Sequence, residues 1–103
     1  MAYSLKIHSD RVIKYLRDFE PLSRQARIQL FAHLHSDLRV NGDYYQNDEN
    51  RRVARSSSSF RYEIIIEDEK GDGRIRQFSF VVNDQPAVYG VLLVEFVEIE
   101  ELP

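Results

Sequence analysis

The chain contains no cysteine and no tryptophan, and charged residues interrupt every apolar run. Without cysteine, neither a disulfide nor a thiolate metal site can hold the fold together, so packing must stabilise it. No apolar run approaches the roughly 20 residues that a membrane-spanning helix needs. The opening MAYSLKIHSD also lacks the apolar core of a secretion signal. The sequence therefore predicts a soluble, cytoplasmic protein that makes no use of a membrane.

Charge is divided unevenly along the chain, although the net charge is only -3. Residues 1–62 contain 11 Lys and Arg against 7 Asp and Glu, whereas residues 63–103 contain 3 against 10. A distribution of this kind can orient a charged partner. With 103 residues, 43% of them hydrophobic, the chain fits a single domain, 1–103, with one core.

The first half of the sequence predicts one strand and two helices. Tyr3–Ile7 alternates apolar and polar residues, which is typical of a half-buried strand. A short helix follows, because four apolar residues recur at helical spacing before Pro21, namely Val12, Ile13, Leu16 and Phe19. A second helix is predicted over Leu22–Arg39, with Asn41 and Gly42 as its stop.

The second half predicts a loop and three strands. Asp43–Ser59 has no apolar period and is expected to be a long connecting loop. Beyond it, three segments with apolar alternation predict strands at Phe60–Glu67, Arg74–Val82 and Val88–Ile99. Two turns rich in Gly, Asp and Asn separate them, at 68–73 and 83–86.

These elements predict an α+β domain with the order β-α-α-β-β-β. Strands joined by short turns should form a three-stranded antiparallel meander, and the helical hairpin should pack on one face of the sheet. The last strand is expected to be an exposed edge that can receive a partner segment.

The local basic cluster of the chain is RRVARSSSSFR, residues 51–61. Arginine offers a planar fork of donors and serine a short hydrogen bond, so this composition suits phosphate groups. Two interpretations are open. The first is an anion or RNA contact formed by Arg51, Arg52, Arg55, Arg61 and Arg76. It is favoured if adjacent strands place Arg61 and Arg76 on one face. The second is a solvated loop whose arginines pair with Asp48, Glu49 or Glu63.

The order and spacing of the elements resemble those of the RelE/ParE toxin superfamily. The likeness covers nearly the whole chain and rests on YSLKIHSDRVIKYLRDFEPLSRQARIQLFAHL, FRYEIIIED and RQFSFVVND. For the ribonuclease branch, the resemblance implies basic and aromatic side chains that cut messenger RNA on the ribosome without a metal. By position, it implies that Arg61 and Arg76 are the candidate catalytic residues.

The end of the chain departs from that pattern. Four glutamates, Glu95, Glu98, Glu100 and Glu101, lie where active relatives place basic or polar aromatic residues, and carboxylates would repel the scissile phosphate. We therefore expect a divergent toxin-type or standalone interaction protein with weak or no nuclease activity, partnered by a small antitoxin or another protein. The alternatives are a ribosome-dependent endoribonuclease toxin, a gyrase-poisoning relative and a housekeeping interaction domain.

The remaining polar residues carry weaker indications. His33 and His35 are two apart on a predicted helix and point in different directions, so they should not share a metal ion. His8 is interpreted as a strand-end residue. Tyr44 and Tyr45 either stack on bases or anchor the loop against the sheet, and anchoring is favoured. The sequence predicts no metal and no cofactor.

Overall fold

The computed structural model describes residues 3–53, 58–84 and 90–103. In the first range, strand β1 and a π-helical turn precede two helices, in the order β1 Ser4–Ile7, turn Ser9–Lys14, α1 Tyr15–Asp18 and α2 Arg24–Gln46. A 3₁₀ turn at Glu49–Arg51 follows. The last three strands are β2 Ser59–Glu67, β3 Ile75–Asp84 and β4 Val91–Leu102. This order confirms the predicted α+β fold.

The four strands form one mixed sheet in the order β1-β4-β3-β2. The strands β2, β3 and β4 form the predicted antiparallel meander, and β1 lies parallel to β4. β4 is not a fully exposed edge, because β1 pairs with its residues 91–94. Among the described residues, 96–102 pair with β3 alone, so only this part of β4 corresponds to the expected edge.

The core lies between α2 and one face of the sheet. Alternate residues of β2 and β3 are buried there, namely Phe60, Tyr62, Ile64, Ile66, Phe78, Phe80 and Val82. α2 contributes a buried row at the predicted spacing, Ala26, Leu30, Leu34 and Leu38. Because side chains alternate along a strand, the intervening residues of β2 and β3 face away from the helices. On this second face, the β2 residues Arg61, Glu63, Ile65 and Glu67 are exposed.

The prediction that the second helix stops at Asn41 and Gly42 is wrong. Asn41 leaves helical geometry, with φ -111° and ψ 22°, but α2 continues beyond this bend to Gln46. Gly42 is buried, and a Cβ at this position would lie 2.7 Å from the ring of Tyr3. The glycine therefore permits close packing instead of ending the helix. The predicted loop at 43–59 is correspondingly shortened, because α2 includes residues 43–46 and the 3₁₀ turn includes Glu49–Arg51.

Hydrogen bonds at both ends position the short first helical region. His8, directly after β1, caps the π-helical turn, since its Nδ1 accepts a hydrogen bond from the backbone N–H of Arg11 at 3.1 Å. At the other end, the Arg27 guanidinium donates to the carbonyl oxygens of Leu16, Arg17 and Phe19 at 3.0, 3.0 and 2.8 Å. A side chain of α2 thus satisfies the last carbonyl groups of α1. No helix within the described ranges is long and apolar enough to cross a membrane.

Candidate functional site

The structure does not bring the two candidate catalytic arginines together. Arg61 is exposed on the outward face of β2, whereas Arg76 is only 3% exposed on the inward face of β3. The strand register pairs Arg61 with Val81 and Arg76 with Ile66. The two arginines are therefore separated by about 17 Å along the hairpin as well as by the sheet itself. The one-face arrangement that would favour a shared phosphate contact is not formed.

Arg76 holds the end of the β2–β3 hairpin against α1. Its guanidinium donates two hydrogen bonds to the Asp72 carboxylate, and its Cζ lies 5.5 Å from the centre of the Phe19 ring. The hydrogen bond from Arg76 is the main reason that the pKa of Asp72 is lowered. A buried guanidinium with these partners acts as a structural tie, because a phosphate would have to displace Asp72 to reach it.

The other arginines of the predicted set have different surroundings. The Nε of Arg51 donates to Asp48 at 3.1 Å, and its Cζ lies 5.1 Å from the centre of the Tyr45 ring. Arg52 is exposed, and its backbone forms an isolated antiparallel β-bridge with Phe60, the residue before Arg61. Arg55 lies outside the described residues. The pairing of Arg51 with Asp48 corresponds to the interpretation of this segment as a basic loop with acidic neighbours.

Tyr44 and Tyr45, which lie in the last turn of α2, have different environments. Tyr45 packs edge-on against the buried Tyr62, with ring centres 4.9 Å apart, so it anchors the end of α2 to β2. Tyr44 is 70% exposed. The hydroxyl of Tyr62 donates to the Asp37 carboxylate of α2, and burial, followed by this hydrogen bond, raises the pKa of Tyr62.

The two histidines of α2, His33 and His35, are both exposed. In the part of the chain that the structure describes, no group of three or more His, Asp or Glu side chains is arranged to hold a metal ion.

A groove of about 620 Å³ crosses β2, β3 and β4 on the face that the helices leave uncovered. Its floor and walls follow the strand register. One cross-strand row consists of Glu63, Ser79 and Glu98, and the adjacent row of Arg61, Val81 and Phe96. Neighbouring strands lie about 4.8 Å apart, so Glu63 and Glu98 flank the small Ser79 at a backbone separation of about 10 Å.

The groove is acidic and partly apolar. Of the described residues that line it, three are glutamates, Glu63, Glu98 and Glu100, and one is an arginine, Arg61. The Nε2 of Gln77 donates to Glu63 at 3.2 Å and to the Ser79 hydroxyl at 3.3 Å. The apolar part consists of Val53, Val81 and Phe96, among others. Such a surface disfavours phosphate groups and suits a ligand that is cationic and partly apolar.

Sequence reasoning identified some of these residues without recognising the site. It singled out Glu98 and Glu100 as an acidic tail and Glu63 as a possible partner of the basic loop. The alternation of β2 and β3 contained the missing signal, because Arg61, Glu63, Gln77 and Ser79 all lie out of phase with the core residues. Applying that parity to all three strands would have placed them on one face.

Comparisons of the chain with models of protein families, with curated proteins and with solved structures find no match.

Proposed function

We propose that this chain is a divergent RelE/ParE-like domain that acts in the cytoplasm by binding a protein partner and has weak or no ribonuclease activity. The observation that carries this proposal is the composition of the uncovered groove, where Glu63, Glu98 and Glu100 outnumber Arg61. Catalysis of RNA cleavage requires donors and cations that converge on the scissile phosphate. Carboxylates in the same groove would oppose the approach of that phosphate.

Exposed apolar side chains on the outward face support a protein partner. Ile65 is 61% exposed and Phe96 44% exposed, and Ile75 lies at the far end of the same face. Apolar side chains bordered by polar ones are characteristic of interaction surfaces. A small antitoxin is one partner of this kind, and an unrelated cytoplasmic protein is another.

A ribosome-dependent endoribonuclease is the second candidate. One observation favours it, namely that Arg61 is exposed at the end of the groove, where it can contact a ligand. Arg76 cannot assist from its buried position unless the hairpin end rearranges. The two candidates differ in what they predict for RNA cleavage.

A cleavage assay on programmed ribosomes, read by primer extension, tests the proposal. We expect the purified wild-type protein to produce no site-specific cuts. Cuts that disappear in Arg61→Ala would overturn the proposal, provided that this variant keeps the wild-type circular dichroism spectrum. Arg24→Ala is the matched control, because Arg24 is an exposed arginine on α2.

Photo-crosslinking inside cells tests the nature of the partner. A photoreactive amino acid in place of Ser79, on the floor of the groove, is expected to form adducts with protein. The same amino acid in place of Gln29, exposed on α2, should not form them. Adducts with RNA at Ser79 would favour the endoribonuclease instead.

A further inference from the structure

The centre of the groove provides a place for a cationic side chain. Ser79 is small, and the longer Glu63 and Glu98 rise on either side of it, with Glu100 in the next cross-strand row. Within the described residues, none of these three glutamates forms an ion pair with a cation of the chain. Nearby carboxylates repel one another, and a bound ammonium or guanidinium group would relieve that repulsion.

An apolar surface lies directly beside this place. Val81 and Phe96 occupy the next cross-strand row, and Val53 borders them. The Phe96 ring also forms a cation–π contact with the Arg11 guanidinium, whose Cζ lies 4.8 Å from the ring centre. Two rows on the same face of a sheet are about 7 Å apart, which is the spacing of residues i and i+2 in an extended segment.

We infer that the groove binds a basic, extended segment of a partner protein, with an apolar side chain on Val81 and Phe96 and a lysine or arginine between Glu63 and Glu98. The inference rests on the proposed function and names the chemistry of its partner. Charge complementarity selects this occupant, because nucleic acid would bring phosphates to a groove with three carboxylates. Alternate side chains of the segment contact the groove, and the intervening ones face solvent.

Synthetic peptides provide a direct test by nuclear magnetic resonance titration of the labelled full-length protein. The probe SLSKSKS carries leucine and two lysines at alternate positions, so that all three can face the groove. We expect it to shift amide resonances of residues that line the groove. Two matched peptides isolate the contributions: SSSKSKS lacks the apolar side chain and should bind more weakly, and SLSESES reverses the charge and should not bind.

The double variant Glu63→Gln, Glu98→Gln tests the location of the cation. The variant removes both carboxylates that pair with the bound cation, so we expect affinity for SLSKSKS to fall roughly tenfold at low salt. The control variant Glu20→Gln, Glu69→Gln removes the same charge from two exposed sites outside the groove and should bind as wild type does. Equal weakening in both double variants would overturn the inference, because bulk charge would then explain binding.

Three other results would also overturn the inference. The first is binding of SSSKSKS as tight as that of SLSKSKS, the second is a shift of the same resonances by an RNA oligonucleotide, and the third is the absence of any shift with SLSKSKS. These failures are distinguishable from failure of the proposed function, which the ribosome cleavage assay decides. A wild-type protein that neither cuts messenger RNA nor binds the probe retains the proposed function and loses only this inference.

Discussion

The two faces of the β2–β3 hairpin use the same residue types for different purposes. On the inward face, the polar groups of Arg76 and Tyr62 are buried and hydrogen-bonded to Asp72 and Asp37. On the outward face, Arg61 and Glu63 are exposed. A shift of one residue along a strand moves a side chain from one environment to the other. Strand parity therefore decides whether an arginine stabilises the fold or remains available to a partner.

The largest expected effect concerns Asp68, a buried residue in the turn between β2 and β3. Asp68 is 2% exposed, and its carboxylate accepts hydrogen bonds from the hydroxyl and the backbone N–H of Ser23, the latter at 2.8 Å. Asp68→Ala would leave these donors at the start of α2 without their partner. We expect the free energy of unfolding in urea to fall by about 3 kcal/mol.

Glu69→Ala provides the control for this substitution, because Glu69 is the exposed neighbour in the same turn. Its effect should remain within about 0.5 kcal/mol. A similar loss in both variants would mean that the turn, and not the contact between Asp68 and Ser23, determines stability.

The next largest effect sharpens the comparison of the two arginines. Arg76→Ala removes a buried side chain that packs on Phe19 and donates hydrogen bonds to Asp72. We therefore expect a loss of about 2 kcal/mol in the free energy of unfolding. Arg61→Ala removes an exposed side chain and should change it by less than about 0.5 kcal/mol. Chemical denaturation of both variants measures the difference. Equal losses would contradict the assignment of Arg76 as a structural tie.

A smaller effect is expected where the inward face contacts α2. Tyr62→Phe removes the hydroxyl that donates to Asp37, while the ring can still pack against Tyr45. We expect a loss of about 1 kcal/mol in the free energy of unfolding. Tyr44→Phe is the matched control, since Tyr44 is largely exposed, and it should be neutral. A neutral Tyr62→Phe would show that water replaces this hydrogen bond at no cost.

Periodicity in the sequence predicted most of the fold. Apolar alternation located β2 and β3 to within about two residues, and the row from Ala26 to Leu38 gave the buried face of α2. The continuation of α2 through Gly42 was missed because local stop signals were outweighed by packing against Tyr3. Tertiary contacts of this kind have no local signature.

The candidate site was less predictable than the fold. The position of Arg76 could have been read from the sequence, since it shares the parity of Phe78 and Phe80. The hydrogen bonds between Ser23 and Asp68, which position the turn before Arg76, could not be predicted from the sequence, because the two residues are 45 positions apart. The resemblance paired Arg61 with Arg76 by position along the chain, whereas a shared contact requires them on one face.

The smallest expected effect is the response to acid of the contact between Arg76 and Asp72. The hydrogen bond from Arg76 holds the pKa of the Asp72 carboxyl below its ordinary value of 3.8. A carboxylate with a lowered pKa in the folded state stabilises the fold at pH values above its unfolded pKa, and this contribution is lost as pH falls through the folded pKa. The stability gap between wild type and Arg76→Ala should therefore narrow below about pH 4, whereas Arg61→Ala should follow wild type throughout. Urea midpoints at pH 6 and pH 3 measure both differences. A gap of equal size at the two pH values would show that Arg76 stabilises the hairpin through packing on Phe19 and not through Asp72.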